Sequence, residues 1–140
     1  MFLKQESFEF NGQSVPLNEL SALQRIQYLE YLAGEEKALA SAGEELSEQA
    51  MTTRLIGMSI RNSARLISYS LWHNEPEGPS EDELFHQVLS TWPAEAIGKA
   101  EIAVKTLSGM LEPVADAEQP ADEGIDATRL GDEPVTAEKP

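Results

Sequence analysis

A mainly α fold is predicted: a small helical bundle of about four helices, with an N-terminal β-hairpin and a disordered acidic C-terminal tail. Three observations predict it. Between Asn18 and Leu111 apolar residues recur at helical spacing in successive runs. Near the N-terminus, Asn11-Gly12 separates two short extended stretches. After Glu112 the composition changes: residues 113–140 carry eight acids, two bases and four prolines, and no aromatic residue. Such a segment buries too little apolar area to offset the entropy of ordering its backbone. The expected organisation is a folded helical domain with its hairpin over 1–112 and a tail over 113–140.

The hairpin rests on its turn. Asn and Gly both tolerate the positive φ of a tight type I′ turn, so Phe2–Phe10 and Gln13–Leu17 read as its strands. Pro16 restricts the second strand to an edge. An isolated hairpin is marginal in water, so this one must pack on the helices or on another chain. From Asn18 the period is helical, with Ala22, Ile26, Leu29 and Ala33 on one face and Leu20, Leu23 and Leu32 widening it; Asn18 or Ser21 supplies the N-cap. Glu35–Ala40, between Gly34 and Gly43, reads as a frayed end or a loop.

The second helix, about Leu46 to Trp72, carries a stripe of Ile56, Ile60, Ala64, Ile67 and Leu71, with Met51, Leu55 and Met58 beside it. Asn74-Glu75-Pro76-Glu77-Gly78-Pro79 breaks it. Ser80 and Glu83 then have capping-box spacing for a third helix, whose buried face is Leu84, Phe85, Val88 and Leu89. Pro93 suits the first position of a fourth helix. There Ile97, Ala100, Val104, Leu107 and Leu111 make a narrow seam that Pro113 ends.

The 140 residues include 25 acids and 10 bases, a formal charge of −15, and 17 acids against 8 bases leave residues 1–112 at −9. That balance argues against a nucleic-acid partner. With no cysteine there is no disulfide framework, thiolate metal site or Cys nucleophile. No apolar run approaches the roughly 20 residues of a membrane span. The first residues do not read as a signal peptide, so a cytoplasmic location is expected.

Candidate chemistry is sparse. His73 and His86 are the only histidines, and a zinc site on them would need Glu75, Glu77 or Glu83; their spacing is not that of a metal-binding helix, and a helix-end His packing its ring is the expected role. No nucleophile elbow or Gly-rich phosphate loop is present, and no enzyme activity, cofactor or metal is expected. Arg54, Arg61 and Arg65 share a helix face, as surface ion pairs or as a docking strip for an acidic partner or the chain's own tail. Trp72 and Trp92 sit at helix boundaries, where aromatics close a bundle end. The second helix has a wider apolar face than three short neighbours need cover. Met51, Leu55 and Met58 are therefore the expected partner-binding residues, for self-association or for gripping an apolar helix.

Four strings carry a resemblance: Met1-Phe2-Leu3-Lys4 with Glu6-Ser7-Phe8-Glu9 and Asn11-Gly12; Leu20-Ser21-Ala22-Leu23-Gln24-Arg25-Ile26; Ser70-Leu71-Trp72-His73-Asn74; and Thr91-Trp92-Pro93-Ala94-Glu95-Ala96-Ile97 with Leu107-Ser108-Gly109-Met110. In this order, over residues 1 to about 112, they resemble the minor tail protein G family of lambda-like long-tailed phages, the tail assembly chaperones. The resemblance implies a protein of the host cell cytoplasm that keeps the tape measure protein soluble while the tail tube grows and is absent from the mature virion. It also implies a longer product of programmed ribosomal frameshifting, whose added domain recruits the tail tube protein. The chain closes Thr136-Ala137-Glu138-Lys139-Pro140, without the Gly-Lys pair associated with the family's slip site. No catalytic residue is carried over. Two other classes fit an acidic helical domain: a structural minor tail component retained in the virion, which mass spectrometry of particles would detect, and an acidic regulatory binding protein, which would compete for a DNA-binding partner.

Overall fold

Asn11 and Gly12 both adopt positive φ, 52° and 79°, and turn the chain directly from β1 (Gln5–Phe10) into β2 (Gln13–Asn18). The computed structural model describes residues 2–42 and 45–111; the tail expected over 113–140 lies outside them. Met1–Gly109 form one compact unit, and all that follows concerns its described residues unless stated. The strands pair antiparallel, Phe8 opposite Val15 and Glu6 opposite Leu17. Leu17 is buried, and Phe8 stacks parallel on Trp92 with ring centroids 6.1 Å apart. Pro16 stands on the outer edge of β2, where its missing N–H interrupts no pairing. That edge is closed by the end of the second helix: the Asn74 side-chain amide donates to the Pro16 carbonyl at 2.9 Å, and the Asn18 backbone N–H donates to Ser70 Oγ at 2.7 Å.

Four helices follow, as the periodicity predicts: α1 (Ala22–Ala42), α2 (Glu48–Trp72), α3 (Glu81–Thr91) and α4 (Ala94–Leu107). α1 opens on a reciprocal cap. Gln24 N–H donates to Ser21 Oγ and Ser21 N–H to Gln24 Oε1, at 3.2 and 3.1 Å, so two otherwise unpaired donors of the first turn are satisfied. Asn18 belongs instead to the strand end. The same device, Ser80 with Glu83, opens α3, and Ser47 caps α2.

Three expectations are corrected. Glu35–Ala40 continue α1 without a break, being mostly good helix formers (Glu, Lys, Ala, Leu) that outweigh the isolated Gly34, with Glu35 standing 3.7 Å from Arg61 of α2. Pro93 is the N-cap of α4 rather than its first residue, its extended ψ of 154° lying outside the helix. α4 stops before Gly109, whose φ of +66° takes the chain out of the helix in the manner of a glycine C-terminal stop, so Leu111 lies beyond α4 and is exposed.

α1 and α2 run antiparallel, Gln24 and Tyr28 against Tyr69, Tyr31 against Arg65, and Glu35 against Arg61. α3, α4 and the hairpin gather on the C-terminal half of α2. There Ala64, Leu66, Ile67, Ser68 and Ser70 are wholly enclosed, joined by Val88, Ala100 and Val104. Small residues let neighbouring backbones approach, and the buried hydroxyls are satisfied: Ser68 Oγ donates to the Arg65 carbonyl and Ser63 Oγ to the Ser59 carbonyl.

Candidate functional site

A polar junction ties α1 to the ends of the other elements. Gln24 is buried and donates from Nε2 to the Tyr69 carbonyl at 3.0 Å and to Glu81 Oε2 at 2.8 Å. Its Oε1 already accepts from Ser21 N–H, and it stands 2.7 Å from His73 Nε2. The acceptor role of that oxygen places the imidazole proton on Nε2. Burial pushes the His73 pKa below its ordinary value of 6.5, opposed by the Glu81 carboxylate. His73 is the C-cap of α2, its ring edge-on to Trp72. Burial, with Glu101 nearby, also pushes the Tyr28 hydroxyl up to about 12. These groups hold the start of α1 in place. Among the described residues no cluster of three His, Cys, Asp or Glu is placed to hold a metal.

Two of the three arginines, Arg61 and Arg65, are occupied within the chain, whereas the buried Nε of Arg54 has no hydrogen-bond partner among the described residues. Arg65 Nη1 donates to Asp82 Oδ1 at 2.8 Å, and its guanidinium lies 4.0 Å from the Phe85 ring centroid and 5.2 Å from that of Tyr31. Arg61 lies 3.7 Å from Glu35. Both serve the packing of α1 and α3 on α2; Arg54 is half-buried. Trp72 and Trp92 are half-buried, and Trp92 with Phe8, Phe10, Leu71, Leu84 and Ala96 lines a cleft of about 580 Å³ between the hairpin and α3. Glu75 is the sole titratable residue on its wall, which is part apolar and part uncharged polar, so no pair of titratable groups faces across it.

The residues singled out on α2 share one side of the helix but not its burial. Met58 is 8% exposed and belongs to the core; Met51 is half-buried; Leu55 is 47% and its neighbour Ile56 57% exposed. Spacings of four and three put Met51, Leu55 and Met58 on successive turns of one side of α2, a side that is covered at Met58 and open at Leu55.

The larger apolar exposure lies on α1. The face expected to be buried, carrying Leu23, Ile26 and Leu29, is 62%, 54% and 54% exposed; Gln24 and Tyr28 are the buried residues of this helix. Its apolar residues occupy two sides, and the polar junction around Gln24 selects the side bearing Tyr28. The signal available in the sequence was Ser21 and Gln24 at capping-box spacing, which fixes the rotation of the first turn.

Among the described residues no helix is long and apolar enough to cross a membrane. Comparison with known proteins places this architecture. The sequence signature described as bacteriophage lambda tail assembly chaperone, TAC, protein G, matches residues 1–126. The chain is 43% identical to Tail assembly protein G of Escherichia phage N15, over 100% of this chain and 97% of that protein. It is 46% identical to Tail assembly protein G of Escherichia phage lambda, over 89% and 90% respectively. The longer Tail assembly protein GT of phage N15 is 42% identical across 99% of this chain, which corresponds to 54% of that protein. No solved structure matches. A hairpin on four helices, with exposed apolar helix faces in an acidic chain, is thus the form taken here by the lambda tail assembly chaperone family of G proteins, to which this chain belongs.

Proposed function

We propose that this chain binds the phage tape measure protein in the host cell cytoplasm, keeps it soluble while the tail is assembled, and leaves before the virion is complete. The observation that carries the reading is the projecting part of α2, where Leu55 and Ile56 stand exposed with Met51 beside them. Long helical proteins present apolar stripes that need cover until their final partners arrive, and an exposed aliphatic and thioether face takes such stripes without demanding one geometry. The charge of −15 keeps the resulting complexes apart. The names G and GT, for a shorter and a longer relative sharing this region, support a second, frameshifted product that reaches the tail tube protein through its added part.

Co-expression with the tape measure protein tests the reading. The chain is expected to move that protein into the soluble fraction, and purified particles are expected to lack the chain by mass spectrometry. Leu55→Glu with Ile56→Glu should abolish the solubilisation while leaving the melting temperature within a few degrees. Continued precipitation beside the unmodified chain overturns the function; undiminished solubilisation by the double variant moves the site off α2.

A further inference from the structure

Ala22, Ile26, Leu29 and Ala33 form a row along α1 on the side away from Tyr28, spaced four, three and four residues apart. This is the a/d alternation of a coiled coil, with Ile26 at an a position and Leu29 at the following d. Among the described residues the row is left largely open: Ile26 and Leu29 are exposed, as is Leu23 beside them. An Ile at a followed by a Leu at d is the pairing that favours two parallel strands.

The flanking charges say which helix fits it. Arg25 immediately precedes the a position and Glu30 immediately follows the d position, and both are exposed. Five residues apart, they do not face each other within one helix. Across a parallel pair of identical helices, however, a residue before a meets the residue after the next d of its partner. Arg25 Nη1 donates to the Ser108 carbonyl at 3.0 Å, which steadies the guanidinium while the other N–H groups remain to donate.

We propose that this row joins two copies of the chain as a short parallel helix pair, Ile26 and Leu29 each meeting their own counterparts and Arg25 of each copy pairing with the partner's Glu30. In an antiparallel pair the same positions would set Arg25 against the partner's Leu32 and Leu23 against the partner's Glu30, with no ion pair formed. Glu36 occupies the next d position, where two like charges would meet, so the seam ends at Ala33. A seam this short falls in the small-interface class and yields a concentration-dependent dimer rather than a permanent one. The proposal stands apart from tape measure binding, which uses α2.

Sedimentation equilibrium on the full chain, up to millimolar concentration, should show monomer and dimer. Leu29→Glu should remove the dimer with the far-UV spectrum and melting temperature kept. Glu30→Arg should weaken association about fivefold to tenfold by setting it against the partner's Arg25, and Arg25→Glu added to it should restore the constant to within about twofold. Because the chain has no cysteine, Leu29→Cys alone should give a disulfide-linked dimer on mild oxidation, whereas Ser90→Cys, exposed on α3, should not. A chain that stays monomeric throughout overturns the proposal. So does a dimer indifferent to Leu29→Glu, or a charge swap that fails to restore association in folded protein. If the monomeric chain loses tape measure solubilisation on Leu29→Glu, the row belongs to that partner instead, and the second-copy proposal falls.

Discussion

Along α2, Ser63, Ala64 and Leu66–Ser70 are buried, whereas between Glu48 and Asn62 only Met58 is. The contrast does not follow hydrophobicity. The enclosed half spends four of its buried positions on Ser63, Ala64, Ser68 and Ser70, while Leu55 and Ile56 in the other half stand in solvent. What differs is how many elements arrive. Small side chains admit α3, α4 and the hairpin to the C-terminal half, whose hydroxyls are satisfied locally or by Asn18. The N-terminal half has α1 as its companion, so its apolar side chains outnumber the surfaces available to cover them. One helix is thereby both the spine of the folded unit and a projecting arm, and the arm is where a binding surface is affordable.

The largest test of this contrast is a charge in each half. Ile67→Asp buries a carboxylate with no partner at a wholly enclosed position and should unfold the domain, a cost of order 3 kcal/mol or more. Ile56→Asp should change stability by less than about 0.5 kcal/mol. Urea melts of the two variants check both numbers, and comparable losses would erase the distinction between spine and arm. The next effect is at the seam between spine and hairpin. Ser70→Ala removes the acceptor of the buried Asn18 N–H and should destabilise by about 1–3 kcal/mol, where a serine merely filling space would cost little. Hydrogen exchange grades the contrast along the helix: amides of Ala64–Ser70 should open only with global unfolding, and those of Thr52–Ser59 by cheaper local opening.

What was legible in the sequence was what local chemistry decides. Asn11-Gly12 demands a tight turn, Ser80 and Glu83 satisfy each other across three residues, and Asn74–Pro79 cannot continue a helix. What was not legible depends on partners distant in the chain. The row Ala22, Ile26, Leu29, Ala33 has the spacing of a buried face, yet Gln24 is drawn inward by the Tyr69 carbonyl, Glu81 and His73, and the row is carried outward. Met51, Leu55 and Met58 are alike in the sequence because they lie on successive turns of one side of α2; the cover of that side, which reaches the buried Met58 and stops short of the exposed Leu55, is supplied by residues distant in the chain. Pro113 is the obvious stop for α4 in the sequence, but Gly109 stops it sooner by adopting a φ that other residues avoid.

The smallest expected effect probes the junction that fixes this rotation of α1. Burial holds the folded-state pKa of His73 below 6.5, so the folded protein binds fewer protons there than the unfolded chain does. The contribution of His73 is therefore present in full above about pH 6.5 and is lost as the pH falls through that value toward the lower folded-state pKa. The loss is modest, because the ring is partly solvated and Glu81 favours the charged form. His73→Gln keeps an amide N–H to donate to Gln24 Oε1 but does not titrate, so its melting temperature should be flatter than that of the unmodified chain between pH 7 and 5.5. If the profile of His73→Gln keeps the slope of the unmodified chain, the pH sensitivity lies elsewhere, and the Gln24 junction is not what steadies the start of α1.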